Sequence, residues 1–125
     1  EYLWVLFNEG EMNTNFRPSD KGVVFHVPCH LKAQEIGDLQ ECLVELIPGV
    51  SIKKIADSCC GMGGTFGLKK ENYDLSLAIG ERLFKEIKEA NADYVLTGCG
   101  ACKSQISQAT SAKVIHPMEF IAEHY

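Results

Sequence analysis

The sequence lacks the features of several large classes of protein. Its longest uninterrupted apolar run, residues 2–7, is far too short to cross a bilayer. Its first residues contain neither the basic segment nor the cleavage site of a signal peptide, so we expect a cytoplasmic chain. Acidic residues exceed basic ones, 17 to 12, and the basic residues form no patch, so no nucleic-acid partner is expected.

Cysteine is too sparse for a small secreted domain held together by disulfides. The chain has six cysteines in 125 residues, and its 46% hydrophobic content is enough for a core that needs no cross-links. In a reducing compartment, closely spaced cysteines instead serve as metal ligands or redox groups.

Five of the six cysteines form one spaced pattern. Cys29 stands alone, Cys59 and Cys60 are adjacent, and Cys99 and Cys102 form a Cys-x-x-Cys motif. Two neighbouring cysteines together with a Cys-x-x-Cys motif are typical of metal–sulfur or redox sites once a fold brings them together.

The sixth cysteine, Cys42, belongs to a different pattern. It lies between Leu39 and Leu46 on an apolar helical face, so we interpret it as a small core residue.

Strand-like and helix-like segments alternate along the chain. Runs rich in β-branched and aromatic residues predict strands at residues 23–27, 50–55, 93–97 and 113–115. Helical periodicity predicts helices around residues 39–47, 72–90 and 99–110, and another that begins at Pro117. The alternation predicts an α/β fold with about four mostly parallel strands and helices on both faces of the sheet.

The longest predicted helix, residues 72–90, has a regular apolar pattern. We expect its core-facing side to carry Leu75, Ile79, Leu83, Phe84 and Ile87. A glycine on this helix, at position 80, is interpreted as a point of close packing.

Residues 1–21 differ from the rest of the sequence. A short apolar helix is predicted at residues 2–7, and a polar stretch that contains Pro18 follows it. We interpret residues 1–21 as a linker or as the tail of an upstream domain, and residues 22–125 as one domain.

The predicted topology explains how distant cysteines can meet. Each cysteine motif follows a predicted strand, and the carboxyl ends of parallel strands lie at one edge of the sheet, where open α/β sheets bind ligands. His116 follows the fourth strand and lies at the same edge. The sequence therefore predicts one site at this edge.

The number of thiolates bears on the kind of metal. Five exceed the four ligands that one structural zinc ion usually takes. Adjacent cysteines in extended chain point apart, so Cys59 and Cys60 reach different metal atoms more easily than the same one. Cys99 and Cys102 lie at a predicted helix start, which favours anionic sulfur. An iron–sulfur cluster with several irons accepts such a set.

Three further residues are candidates for a supporting role around the sulfurs. The backbone N–H at Gly61, in a loop with four glycines, can approach sulfur closely. His116 and His30 can hydrogen-bond a sulfur and tune its electronic properties, while a helix-entry or surface role without chemistry is an equal alternative for each.

At these cysteines the sequence resembles the cysteine-rich CCG domain family. The resemblance rests on Cys29, on the Cys-Cys-Gly at residues 59–61 and on the Cys-x-x-Cys at residues 99–102, and it covers residues 22–125. The family occurs in the B subunit of heterodisulfide reductase and in the iron–sulfur subunit of glycolate oxidase. The likeness is strongest to the C-terminal part of the C subunit of anaerobic glycerol-3-phosphate dehydrogenase.

The resemblance implies the ligands and the cofactor. By that likeness Cys29, Cys59, Cys60, Cys99 and Cys102 hold a non-cubane 4Fe-4S cluster, which air can destroy, and zinc is the alternative metal. The implied role is a non-catalytic electron-transfer part of an oxidoreductase, which relays electrons from flavoprotein dehydrogenase subunits toward a membrane-associated acceptor. Attachment to the inner face of the membrane would come through those partners.

The family pattern also predicts further parts. Members usually carry two such domains, and the C subunit of glycerol-3-phosphate dehydrogenase also has ferredoxin-type clusters upstream. This sequence contains one cysteine set, so we expect it to work with an upstream domain of a longer chain.

Two other functions remain open from the sequence. The domain could bind zinc, or no metal, and serve assembly alone. Alternatively Cys99 and Cys102 could be the redox pair of a thiol–disulfide protein, since their motif follows a strand and opens a helix, although that leaves the other three cysteines unexplained.

Overall fold

A computed structural model describes residues 1–36, 38–55 and 58–125. Within these residues a four-stranded sheet has the order β2-β1-β3-β4, and all three strand pairs are parallel. The strands are β1 (Gly22–His26), β2 (Ser51–Lys53), β3 (Tyr94–Thr97) and β4 (Val114–Ile115). The predicted α/β fold with a parallel sheet is confirmed.

Six α-helices accompany the sheet in the described part of the chain. They are α1 (Tyr2–Asn8), α2 (Cys29–Ala33), α3 (Asp38–Glu45), α4 (Tyr73–Ala90), α5 (Gly100–Ala109) and α6 (Pro117–Glu123). The glycine-rich loop before α4 contains two short 3₁₀ turns, Phe66–Leu68 and Lys70–Asn72. Strand β2 is shorter than the predicted segment 50–55, because this edge strand pairs with β1 over only three residues.

The alternation of side chains along the strands separates two apolar layers. In β1, Val23 and Phe25 contribute to one layer, and Val24 contributes to the other. The first layer is completed by residues of α3 and α6, and the second by residues of α4 and α5. Helices therefore cover both faces of the sheet, and Cys60 and Cys102 belong to the second layer.

The core-facing side of α4 differs from the prediction. Leu83, Phe84 and Ile87 are buried as expected, but Leu75 and Ile79 are 56% and 48% exposed. Ser76 and Gly80 are buried in their place. The cause is the loop that packs there, since a Cβ at Gly80 would overlap the Cys60 carbonyl oxygen. Backbone approaches this closely only where the helix has no large side chain.

Residues 1–21 pack against the domain. Phe16 is buried in the first apolar layer, and its ring centroid lies 4.8 Å from that of Tyr125. The Arg17 amide donates a 2.7 Å hydrogen bond to the His124 carbonyl, and the Tyr125 hydroxyl donates one to the Asn13 carbonyl. The origin of this segment as a linker or as the tail of another domain stays a prediction.

In the described residues, no helix is both long and apolar enough to span a membrane.

Candidate metal–sulfur site

A cavity of about 210 Å³ lies beyond the carboxyl ends of β1 and β3. Four of the five patterned cysteines line it, together with one imidazole, one amine and one hydroxyl side chain: His26, Cys29, Lys32, Ser58, Cys59, Cys60 and Cys102. Side chains from three separate parts of the sequence therefore meet in one place.

The strand ends explain this convergence. After β1, the extended Pro28 leads directly into α2, of which Cys29 is the first residue. After β3, the extended Cys99 is the N-cap of α5, and Cys102 lies in the first turn of that helix. Parallel strands present these turns at the same edge of the sheet.

The sulfurs differ in their access to solvent. Cys60 and Cys102 are only 5% and 6% exposed, whereas Cys29 and Cys59 are exposed and Cys99 is intermediate. One side of the site is therefore embedded in the apolar layer under α4 and α5, and the other side faces solvent. The adjacent residues Cys59 and Cys60 contribute to opposite sides, as expected when neighbouring side chains point apart.

The two buried sulfurs, those of Cys60 and Cys102, are in direct contact at 3.2 Å. Hydrogen bonding to Cys102 lowers the pKa of Cys60 to about 6, although burial opposes this change. The same hydrogen bond, followed by burial, raises the pKa of Cys102 far above its ordinary value. The two pKa values shift in opposite directions because the sulfurs share one hydrogen bond, and metal binding requires both thiols to lose their protons.

Cys99 lies beside this pair. Its sulfur contributes to the raised pKa of Cys102, both through charge and through a hydrogen bond. The fifth cysteine thus lies beside Cys102, one of the four that line the cavity.

Gly61 is positioned as a backbone donor to sulfur. Its N–H donates a 3.3 Å hydrogen bond to the Cys59 sulfur. The residue has a φ of +86°, and a Cβ here would overlap the Ser76 carbonyl oxygen of α4. Only glycine satisfies both the left-handed backbone and the close packing.

His26 contributes to the cavity wall, although the sequence marks it as a residue of a buried strand. Its ring lies between the Thr97 hydroxyl and the Ser58 carbonyl. Burial lowers the pKa of His26 to about 4, and the charge of Lys32 acts in the same direction. Its position in the strand could have indicated this role. His26 is the last residue of β1 and lies two residues after Val24, so both side chains point to the face of the sheet that carries Cys60 and Cys102.

His116 and His30, the two histidines that the sequence marked as candidates, do not line the cavity. His116 accepts a 3.1 Å hydrogen bond at Nδ1 from the Met118 amide and so caps α6. His30 is exposed on α2 beside Cys29. Neither lines the cavity in the described residues, and a tuning role for either stays a prediction.

Cys42 is half-buried on α3 and does not line the cavity.

The donor set suits a group with several metal atoms. Among residues 1–36, 38–55 and 58–125, no three histidine, cysteine or carboxylate side chains converge closely enough to hold a single metal ion. Thiolates are soft ligands that favour iron–sulfur clusters, zinc and copper(I). Four sulfurs that line one cavity, with a fifth beside Cys102, exceed the ligands of one ion and fit a cluster better.

Sequence comparisons agree with this chemistry. A family model described as the cysteine-rich domain, CCG, matches residues 23–107. The chain is 39% identical over 122 residues to the C subunit of anaerobic glycerol-3-phosphate dehydrogenase of Escherichia coli, covering 98% of this chain and 31% of that protein. It is 34% identical over 103 residues to the D subunit of dihydromethanophenazine:CoB–CoM heterodisulfide reductase of Methanosarcina barkeri, covering 77% and 24%.

A third relative carries the cofactor class in its name. The chain is 34% identical over 95 residues to an uncharacterized iron–sulfur protein of Methanococcus maripaludis, covering 74% of this chain and 19% of that protein. The chain thus spans about a third or less of the length of each of these relatives.

Proposed function

Because the chain belongs to the cysteine-rich CCG domain family, we propose that it is an iron–sulfur electron-transfer domain of an oxidoreductase subunit. The observation that carries the proposal is the convergence of the cysteines: four line one cavity, and the fifth lies beside Cys102. When bound, an iron–sulfur cluster supplies one-electron transfer at a potential that its surroundings tune.

The buried and exposed cysteines have different tasks in this proposal. Cys60 and Cys102 would hold the cluster from the apolar layer, where both side chains are buried. Cys29 and Cys59 would hold it from the solvent-exposed side of the site. The Gly61 N–H donates to the Cys59 sulfur and stabilises its negative charge.

A 4Fe-4S cluster of the non-cubane type is the form that we propose. The adjacent residues Cys59 and Cys60 differ strongly in burial, so they would bind different atoms of such a cluster more easily than the same one. Zinc is the competing metal, and the chain would then serve assembly.

The relatives' names suggest the setting of the electron transfer. Two of them are named as subunits of a dehydrogenase and a reductase, so we propose partner subunits for this chain as well. We propose a flavoprotein dehydrogenase as the electron donor and a membrane-associated acceptor, with the domain in the cytoplasm at the inner face of the membrane. A further domain upstream would complete the relay.

Anaerobic reconstitution with iron and sulfide tests the cofactor. We expect several irons and sulfides per chain, and an EPR signal that changes on oxidation and reduction. Cys60→Ser and Cys102→Ser should lose the signal, whereas Cys42→Ser should keep it. A wild-type chain that takes up one zinc ion instead, or no metal at all, would contradict the proposal.

The contact between Cys60 and Cys102 favours a second candidate function, a thiol–disulfide couple. The structure places these two sulfurs 3.2 Å apart, which makes this pair a better candidate than Cys99 and Cys102. Glutathione disulfide would be the oxidant: the Cys60–Cys102 bond forms, the bond of the oxidant breaks, and two glutathione thiols take up the electrons and protons. A reversible Cys60–Cys102 disulfide with turnover of an external disulfide would support this function over cluster binding.

A further inference from the structure

A buried chain of side-chain hydrogen bonds connects the two cysteine-bearing segments from behind the cavity. The Gln105 amide nitrogen donates a 2.7 Å hydrogen bond to the Ser76 hydroxyl, and this hydroxyl donates a 2.8 Å hydrogen bond to the Gly61 carbonyl. Ser76 has no solvent exposure, and Gln105 is 1% exposed. Three elements, α5, α4 and the Cys-Cys-Gly loop, are joined through these two bonds.

Each end of this chain lies next to a proposed ligand. Gln105 is three residues, about one helical turn, beyond Cys102 on α5. At the other end, Gly61 follows Cys60 directly, and its N–H binds the Cys59 sulfur. The bonds therefore span from the helix that carries Cys102 to the loop that carries Cys59 and Cys60.

The surroundings leave these groups little freedom. A Cβ at Gly67 would overlap the Ser76 hydroxyl oxygen, so the 3₁₀ turn before α4 presses on Ser76 from another side. Buried donors and acceptors such as these form their hydrogen bonds with protein groups, because water does not reach them. Losing one member leaves the next polar group without a partner, and the loop can then move relative to α5.

We propose that Ser76 and Gln105 are positioning residues, which hold the Cys-Cys-Gly loop against α5 so that Cys60 and Cys102 meet. The ligand role of those cysteines rests on the proposed function, but the positioning itself is a property of the metal-free chain. An apolar pair of similar volume at these positions would fill the space without fixing the loop.

Cross-linking of the metal-free protein measures the positioning directly. Wild type, Ser76→Ala and Gln105→Met are treated with dibromobimane, which bridges two nearby thiols, and mass spectrometry identifies the Cys60–Cys102 product. The ratio of this cross-link to single labelling of Cys60 and Cys102 corrects for access to the buried thiols. Gln105→Met breaks one of the two hydrogen bonds and should lower the ratio about five-fold, and Ser76→Ala breaks both and should lower it at least as much. The double variant should lose less than the sum of the two, because both substitutions break one connected chain.

Two exposed residues of α5 supply matched controls. Ser107→Ala and Gln108→Met make the same chemical changes outside the buried chain, and both should give the wild-type ratio of cross-link to single labelling. A wild-type ratio in Ser76→Ala and Gln105→Met, even with a lower unfolding temperature, would show that both residues only stabilise the fold and would overturn the proposal. So would variants that do not fold at all, as judged by circular dichroism.

The iron-loaded protein provides an independent measurement. Ser76→Ala and Gln105→Met should take up iron but give a shifted midpoint potential and altered EPR line positions, unlike the two controls. If the wild type binds no cluster, the proposed function fails, while the cross-linking result still decides the positioning role. If the variants load iron with unchanged spectra and potential and also cross-link as the wild type does, the proposal is wrong.

Discussion

His26 and Thr97 are register partners on β1 and β3, and the His26 Nδ1 lies 3.1 Å from the Thr97 hydroxyl oxygen. The other ring nitrogen, Nε2, lies 3.3 Å from the Ser58 carbonyl oxygen. Since a carbonyl can only accept, Nε2 carries the proton and Nδ1 accepts from the Thr97 hydroxyl. A neutral imidazole thus connects two strands to the residue that precedes Cys59.

The neutral state of His26 predicts a pH dependence of stability. Burial lowers its pKa from 6.5 to about 4 in the folded protein, so between these values the unfolded chain binds more protons. The free energy of unfolding should therefore be intact above about pH 6.5 and fall as the pH drops toward 4, by at most about 3 kcal/mol. Urea unfolding of the metal-free protein at several pH values measures it.

His26→Gln is the control for this pH dependence, since it removes the ionisable group. The slope between pH 6.5 and 4 should flatten in the variant. An equal slope in both proteins would assign the effect to other groups.

Thiol labelling should separate the inner cysteines from the outer ones. In the metal-free protein, iodoacetamide should label the exposed Cys29 and Cys59 well before the buried Cys60 and Cys102, because access limits the reaction even where a pKa is low. Cluster loading should then protect Cys29 and Cys59, while Cys42 labels equally in both forms. Unprotected Cys29 or Cys59 in iron-loaded protein would remove that residue from the ligand set.

The contact between α4 and the loop at Gly80 predicts a damaging substitution. In Gly80→Ala the new methyl group would overlap the Cys60 carbonyl oxygen and the Phe84 ring, so helix and loop must separate. We expect a loss of about 1–3 kcal/mol in the free energy of unfolding, together with weaker iron binding. Urea unfolding and iron analysis measure these two effects.

Gly100→Ala is the matched control for unfolding of the metal-free chain. A Cβ at this position meets nothing within 4 Å, and Gly100 begins α5. The substitution should leave stability unchanged or raise it by up to about 1 kcal/mol. Equal losses in the two variants would show that steric overlap at Gly80 is not the cause.

The Ser58 hydroxyl predicts a substitution that should not lower the free energy of unfolding. This buried oxygen has no hydrogen-bond partner among the described residues, although its residue lines the cavity. Removing a buried polar group that has no partner should not destabilise the protein, so Ser58→Ala should unfold at the same or higher urea concentration than wild type in the metal-free form. A clear loss of stability would reveal a partner for the hydroxyl.

The local patterns of the chain were enough for the four strands and for five of the six α-helices in the described residues, but they did not predict α2, the short helix that begins at Cys29. They failed where another segment decides the environment, as on α4. Leu75 and Ile79 have the spacing of core residues, yet the loop that carries Cys60 occupies the face of Ser76 and Gly80. Periodicity shows that a helix has an apolar side, but the direction of burial depends on what packs against it.

Local patterns were sufficient to identify the five patterned cysteines, the parallel α/β fold and the edge of the sheet where the motifs meet, because strand ends and helix starts are local properties. Tertiary packing was needed to establish which sulfurs are buried, that Cys60 contacts Cys102, and that His26 joins the cavity wall. The same holds for the link from Gln105 through Ser76 to Gly61. These relationships join residues up to about seventy positions apart, and their distances depend on how layers pack, which no local pattern of side chains encodes.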